Sequence, residues 1–223
     1  KDGIDVAALD KTEAQAVLVT PAHQSPTGAV MSGERRLALA SWLRQRNAVV
    51  LEDDYDAEFR YDRAPIGALQ GLAPDHVVYA GTTSKTLAPA LRLGWMVVPP
   101  NLLLMLEDEL RLMDCGRGRI EQFALAQFIT SGGYDRHLRK MRTIYRDRRE
   151  ALLAVVGAEL PEAEVDGISA GLHATVRFPR RLDEATILEH AHNRGMGLSF
   201  MRRHYLGAAP DESTLLLSYA SMP

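Results

Sequence analysis

Thiols are almost missing from this chain of 223 residues: Cys115 stands alone, which excludes an intramolecular disulfide and a thiolate-rich zinc site. Charge of one sign is also scarce. The 26 Lys+Arg against 29 Asp+Glu leave a net charge of −3, so there is no electrostatic footprint for wrapping nucleic acid or coating an anionic membrane. No long apolar run occurs; the most apolar stretch, Leu93 to Leu106, is interrupted by Pro99-Pro100-Asn101 and is too short to span a bilayer. Lys1-Asp2-Gly3-Ile4-Asp5-Val6 has neither the basic start nor the apolar stretch of a secretory signal, so a soluble, cytoplasmic protein with no membrane partner is expected. A G-x-x-x-x-G-K-[ST] phosphate loop is absent, as are internal repeats and low-complexity tracts. What remains, 46% hydrophobic and 25% charged, is the composition of a globular protein with a sizeable core.

Strand-like and helix-like segments alternate in the first half. Residues 16–20, 48–51, 76–80 and 93–98 are continuous apolar runs that read as buried strands, and 34–47 reads as a helix capped by Ser32 with Leu37, Ala40 and Leu43 on one face. This alternation predicts an α/β unit over residues 1–133, built on a mainly parallel sheet covered on both faces. Helices follow from Asn101 (with Leu103, Leu106, Leu110 and Met113 on its apolar face), over 120–130, and over 134–156, the last carrying Leu138, Met141, Tyr145, Leu152 and Val155 at helical spacing. Strands at 172–178 and 215–219 with a helix near 183–193 predict a small α+β unit over 157–223, joined through the 134–156 helix. That helix holds seven Lys/Arg and three Asp/Glu between Tyr134 and Glu150, distributed around it, which reads as a solvated face rather than a DNA stripe.

In a parallel α/β sheet, ligands bind outside the carboxyl ends of the strands. Here those ends carry His23-Gln24-Ser25, Asp53-Asp54-Tyr55 and Thr82-Thr83-Ser84-Lys85, so carboxylates, a phenol, hydroxyls and a lysine converge on one edge. Lys85 is one of four lysines, with Lys1, Lys11 and Lys140. It is either a solvated surface lysine or an amine whose lone pair is freed for Schiff-base chemistry by desolvation or a cationic neighbour such as Arg92. Arg92, with the Thr82 and Ser84 hydroxyls, suits a phosphate. Asp53 and Asp54 could instead coordinate Mg²⁺ as in phosphoryl transfer, although no phosphate loop accompanies them.

Three stretches carry a resemblance: Thr20-Pro21-Ala22-His23-Gln24-Ser25-Pro26-Thr27-Gly28, Leu51-Glu52-Asp53-Asp54-Tyr55-Asp56-Ala57-Glu58-Phe59-Arg60-Tyr61, and Gly81-Thr82-Thr83-Ser84-Lys85 through Arg92-Leu93-Gly94. Together they resemble the aspartate-aminotransferase fold, fold type I of the pyridoxal-phosphate proteins. With Tyr134-Asp135-Arg136-His137-Leu138-Arg139-Lys140-Met141-Arg142, they resemble more narrowly the MocR subgroup of GntR-type transcription regulators. The resemblance implies pyridoxal 5'-phosphate as cofactor and no metal ion. By this likeness Lys85 condenses with the cofactor aldehyde, Asp53 pairs with the pyridine nitrogen, Tyr55 bonds the phenolic oxygen, and Thr82, Ser84 and Arg92 hold the phosphate. It also implies a homodimer, an amine or amino-acid effector, and DNA contact only through an N-terminal winged-helix domain outside this chain. A genuine aminotransferase is the alternative.

Three departures from the family pattern stand out. Ser25 occupies the position of an asparagine in ordinary aminotransferases. Leu215-Leu216-Leu217-Ser218-Tyr219 falls where transaminases carry a carboxylate-binding arginine, with Arg202 and Arg203 as possible substitutes or ordinary surface charge. The upstream glycine-containing phosphate loop and ring-stacking aromatic have no counterpart, so the chain is expected to be a C-terminal piece whose exposed edges a partner covers.

Overall fold

The computed structural model describes residues 3–61, 67–114 and 118–220; Cys115 lies outside them. The first sheet contains β1 (Ala16–Val19), β2 (Val49–Asp54), β3 (Val77–Thr82) and β4 (Gly94–Val97) in that spatial order. β1, β2 and β3 run parallel, with Val17 opposite Val50 and Val50 opposite Val77. β4 returns antiparallel to β3, because the link between them is too short for the crossover that a parallel partner needs.

Helix α1 (Val6–Leu9) precedes β1, and α2 (Gly33–Arg46) joins β1 to β2. Ser32 caps α2 by accepting from the Arg35 amide, and Asn47 ends it in the left-handed region, which asparagine tolerates. The buried stripe of α2 is Arg36, Leu39, Ala40 and Leu43 with Trp42; Leu37, expected inside, lies on the exposed side. Leu39, Trp42 and Leu43 pack against Val19, Val50 and Val77, and each large side chain so buried stabilises the layer by about 1.5–3 kcal/mol. The opposite sheet face leaves Leu18, Leu51 and Met96 exposed while burying Val78, so it is covered only in part among the described residues.

Helix α3 (Pro100–Asp114) starts at Pro100 rather than behind an Asn101 cap, since proline fits the first helical turn. Its least exposed positions are Leu102, Leu106 and Leu110, while Leu103 and Met113 are exposed. α4 (Arg119–Thr130) leads through Gly132, in the left-handed region, into α5 (Gly133–Glu159), 27 residues long.

The second sheet has the spatial order β5-β6-β8-β7, all antiparallel: β5 (Glu164–Asp166), β6 (His173–Arg177), β7 (Ser199–Phe200) and β8 (Thr214–Ser218). α6 (Glu184–His192) is capped by Asp183, which accepts from Thr186. α5 lays Leu138, Met141, Tyr145 and Leu152 on Phe59, Leu172, Ala174 and Tyr219. Val155 is exposed and Val156 takes the inward place, packing on Val176 and Phe178. The arginines of α5 are only partly a solvated face. The Arg142 Nε donates to the Glu58 carbonyl at 2.6 Å, Arg148 to the Ala220 carbonyl, and the Arg149 guanidinium lies 5.6 Å from the Tyr61 ring centre. No helix among the described residues is long and apolar enough to cross a membrane.

Candidate cofactor site

Because β1, β2 and β3 are parallel neighbours, their carboxyl ends meet at one edge, as the sequence implied. The loop after β1 is tied across its neck by Met31 N–H to the Pro21 carbonyl at 3.0 Å. Inside it, Gln24 accepts from the Thr27 amide at 3.0 Å. Arg36, buried beneath, donates to the carbonyls of Pro21 at 2.8 Å, Met31 at 3.1 Å and Gly67 at 3.0 Å. Gly28, at φ +68°, meets the small unit so closely that a Cβ there would lie 2.5 Å from the Gly167 Cα.

Alternation along β2 separates the adjacent carboxylates. Glu52 and Asp54 share a face. Glu52 is buried and accepts from the Leu69 and Gln70 amides at 2.8 and 2.9 Å, and Asp54 accepts from the Tyr79 hydroxyl at 2.8 Å and the Ala57 amide at 3.3 Å. Asp53 lies on the other face, with Ala80 opposite it in β3. It is half-buried and has no hydrogen bond or ion pair among the described residues. Burial, then the charge of Asp56, pushes its pKa above the ordinary carboxylate range. A paired-carboxylate Mg²⁺ site therefore does not form: Asp54 is committed to Tyr79 and Ala57, and Asp53 points away from it.

Tyr55 is half-buried and donates to the His23 carbonyl at 2.9 Å. Burial first, then the Asp56 charge, raises its pKa far above the usual range, while the Ser25 hydroxyl pulls the other way, so Ser25 and Tyr55 are neighbours. Beside them the His23 Nδ1 faces Asp56 Oδ2 at 2.8 Å.

The turn after β3 is tightly bonded. Ser84 N–H donates to Thr82 Oγ1 at 3.1 Å, the Thr82 and Ser84 hydroxyls lie 3.0 Å apart, and the Thr83 amide and hydroxyl both donate to the Leu93 carbonyl at 3.0 and 3.1 Å. From α5, Tyr134 donates its hydroxyl to Thr86 Oγ1 at 3.1 Å and the His137 Nε2 bonds the Thr86 carbonyl at 2.7 Å. These two contacts escaped sequence reasoning, although the stretch Tyr134 to Arg142 was among the motifs quoted. Lys85 itself is exposed and makes no hydrogen bond or ion pair among the described residues; its charge is felt at His173.

Arg92 stands in the left-handed region at φ +52°, uncommon for a non-glycine residue and a mark of a constrained position. It lines a cleft of about 980 Å³ with Gly81, Trp95 and Glu121. It makes no hydrogen bond to Thr82 or Ser84 among the described residues. Leu216 sits in β8 between Thr175 of β6 and Ser199 of β7, and Arg202 is engaged with the Pro210 carbonyl at 2.8 Å and Glu184 at 3.7 Å. Arg202 is thus held by its own neighbourhood.

An open α/β sheet with its polar strand ends gathered at one edge, followed by a long helix and a small antiparallel sheet, defines an aminotransferase-like fold of type I. The solved structure of kynurenine aminotransferase from Pyrococcus horikoshii, in complex with PMP, KYN and KYA, superposes with a TM-score of 0.87 at 26% identity, over 98% of this chain and 57% of that one. The sequence profile described as "Aminotransferase class I and II" matches residues 2–173, and the chain belongs to that family. The chain's curated relatives include several HTH-type transcriptional regulators. The HTH-type transcriptional regulator YhdI of Bacillus subtilis is 39% identical over 88% of this chain and 42% of its own length. The probable rhizopine catabolism regulatory protein MocR of Rhizobium meliloti is 33% identical over 97% of this chain and 44% of its own length. The chain spans less than half the length of these curated relatives.

Proposed function

We propose that this chain is the pyridoxal-phosphate-binding, effector-sensing domain of a GntR-family, MocR-type cytoplasmic transcription regulator, with residues 1–133 holding the cofactor and residues 134–156 linking them to a small unit over 157–223. The observation that carries the reading is Asp53: a half-buried carboxylate with no partner among the described residues, at the same sheet edge as the hydroxyl turn and Lys85. An anionic group left so, its pKa raised by burial, fits a cationic ring nitrogen, which would supply the missing counter-charge.

Pyridoxal phosphate supplies an aldehyde and a ring that withdraws electrons when its nitrogen is protonated. The chain's own groups match those needs. Asp53 would hold the ring-nitrogen proton; Tyr55, kept protonated by burial, would turn its hydroxyl from the His23 carbonyl to the phenolic oxygen beside Ser25. Thr82 and Ser84 offer hydroxyls and Arg92 a planar cation for the phosphate, and Lys85 offers the amine. The exposed apolar side chains of α3, α4 and β4, among them Leu104, Phe123 and Trp95, support a homodimer whose second subunit covers them. The effector is a small amine or amino acid, and DNA is reached only through a domain outside this chain.

Soaking with pyridoxal phosphate should turn the protein yellow, and borohydride followed by peptide mapping should place the pyridoxyl group on Lys85. Label on another lysine, or none, defeats the cofactor reading. Sustained transamination between an amino donor and a keto acid would defeat the regulator reading and favour an aminotransferase.

A further inference from the structure

Three ligating side chains from distant parts of the sequence meet next to Tyr55. His23, Asp56 and His173 offer donor atoms that all lie within 4.8 Å of one another. His23 and Asp56 are each 1% exposed, and the rings of His23 and His173 lie 4.4 Å apart between centres. Two buried atoms of this group have no hydrogen-bond partner, Asp56 Oδ1 and His173 Nε2. Buried polar atoms in native proteins are almost always satisfied, so two unsatisfied atoms within one cluster of ligating side chains point to a further partner there.

The surrounding bonds turn lone pairs inward. The His23 Nδ1 shares a proton with Asp56 Oδ2 at 2.8 Å and its Nε2 lies 3.3 Å from the Gly167 carbonyl, so a cation that displaces the shared proton would meet an Nδ1 lone pair with the Nε2 proton held by Gly167. The His173 ring lies beside the Pro26 carbonyl, and its buried Nε2 has no hydrogen-bond partner. Imidazoles tethered through one nitrogen to a backbone carbonyl are the usual outer arrangement of metal-ligating histidines. Desolvation holds the His173 pKa down to about 4, so its lone pair is available at neutral pH.

We propose that His23, Asp56 and His173 form a binding site for one divalent transition-metal ion, Zn²⁺ by donor chemistry. Two imidazoles and a carboxylate suit Zn²⁺, whereas Ca²⁺ and Mg²⁺ take oxygen ligands. Bonds of roughly 2.0–2.2 Å to one ion require the ligand atoms to draw closer than their present spread. The bound ion ties the loop after β1 and the end of β2, both in the first sheet, to β6 in the second. A proton shared by His23 and Asp56, with water on His173, is the competing occupant.

The test is a titration of the chelator-stripped full chain with Co²⁺ as a spectroscopic probe, run without pyridoxal phosphate so that its failure leaves the cofactor reading standing. One Co²⁺ per chain, with visible d–d absorption abolished by Zn²⁺, is expected. Asp56→Asn and His173→Gln should each weaken binding by about 100-fold or more. No stoichiometric binding overturns the proposal, as does binding undiminished in both variants, which would assign the metal to exposed groups such as His190, His192 or His204. If the variants fail to fold by circular dichroism, X-ray absorption on the Zn²⁺-loaded chain decides. A shell with two imidazoles supports the site, and one with fewer overturns it.

Discussion

Replacing Gly171 by alanine tests the junction of the two sheets most directly. Gly171 has φ +79°, and a Cβ there would sit 2.0 Å from the His23 Nδ1 and 2.5 Å from Asp56 Oδ2. An L-residue in that backbone region costs about 1–2 kcal/mol. The methyl group must also push the His23 ring away from Asp56, disturbing a buried 2.8 Å contact that charge-assisted bonding makes worth about 1.5–3 kcal/mol. Together the loss is about 3–5 kcal/mol, a large part of the stability of an ordinary domain. Gly195 supplies the control: its φ is +70° but nothing lies within 4 Å of an added Cβ, so Gly195→Ala should lose only the backbone share, about 1 kcal/mol. Urea unfolding of both variants and the parent, followed by circular dichroism, should show a midpoint drop of about 1–2 M for Gly171→Ala at a slope of about 2–3 kcal/mol per M. Equal midpoints for the two variants would refute the packing argument.

The low His173 pKa makes a pH prediction. Its native value of about 4 lies below the unfolded value of 6.5, so the stability it contributes is complete above pH 6.5 and is lost as pH falls toward 4 and below. Burial raises the pKa values of Glu52, Asp54 and Glu58, which act in the opposite sense and persist in a variant. His173→Gln in the presence of chelator should therefore lose less stability between pH 6.5 and 4 than the parent, and an equal loss in thermal melts contradicts the assignment. Tyr134→Phe and His137→Ala each remove a bond to Thr86 worth about 1 kcal/mol, so each should weaken pyridoxal-phosphate binding about fivefold in a spectrophotometric titration. Unchanged affinity in both variants would mean that α5 does not position the lysine turn.

The strands of the first sheet were legible because Val49, Val50, Val77 and Val78 form apolar runs with polar ends, and Ser32 and Asp183 announce their helices by capping chemistry. β5 and β7 were not, since Glu164-Val165-Asp166 and Ser199-Phe200 are too short and too polar for periodicity to register. Helical spacing misassigned Leu37 and Val155 by one position, as inward direction is set by the packing partner rather than by period alone. At the site, the strand-end rule gathered Asp53, Tyr55, Thr82, Ser84 and Lys85 at one edge, and alternation along β2 explains which aspartate is left unpaired. Nothing local in the sequence could reveal that His173 of β6 closes on His23 and Asp56. Their juxtaposition exists only once the two sheets dock.

The 27 residues of α5 make a rod of roughly 40 Å. Near one end it grips Thr86, next to Lys85, by its hydroxyl through Tyr134 and by its carbonyl through His137, and further along it is pinned to Glu58 and Ala220 and seated on β6. A stiff lever fixed at both places cannot swing at one without displacing the other. A tilt of the antiparallel sheet carried along α5 would therefore bear on Thr86, the residue next to the lysine.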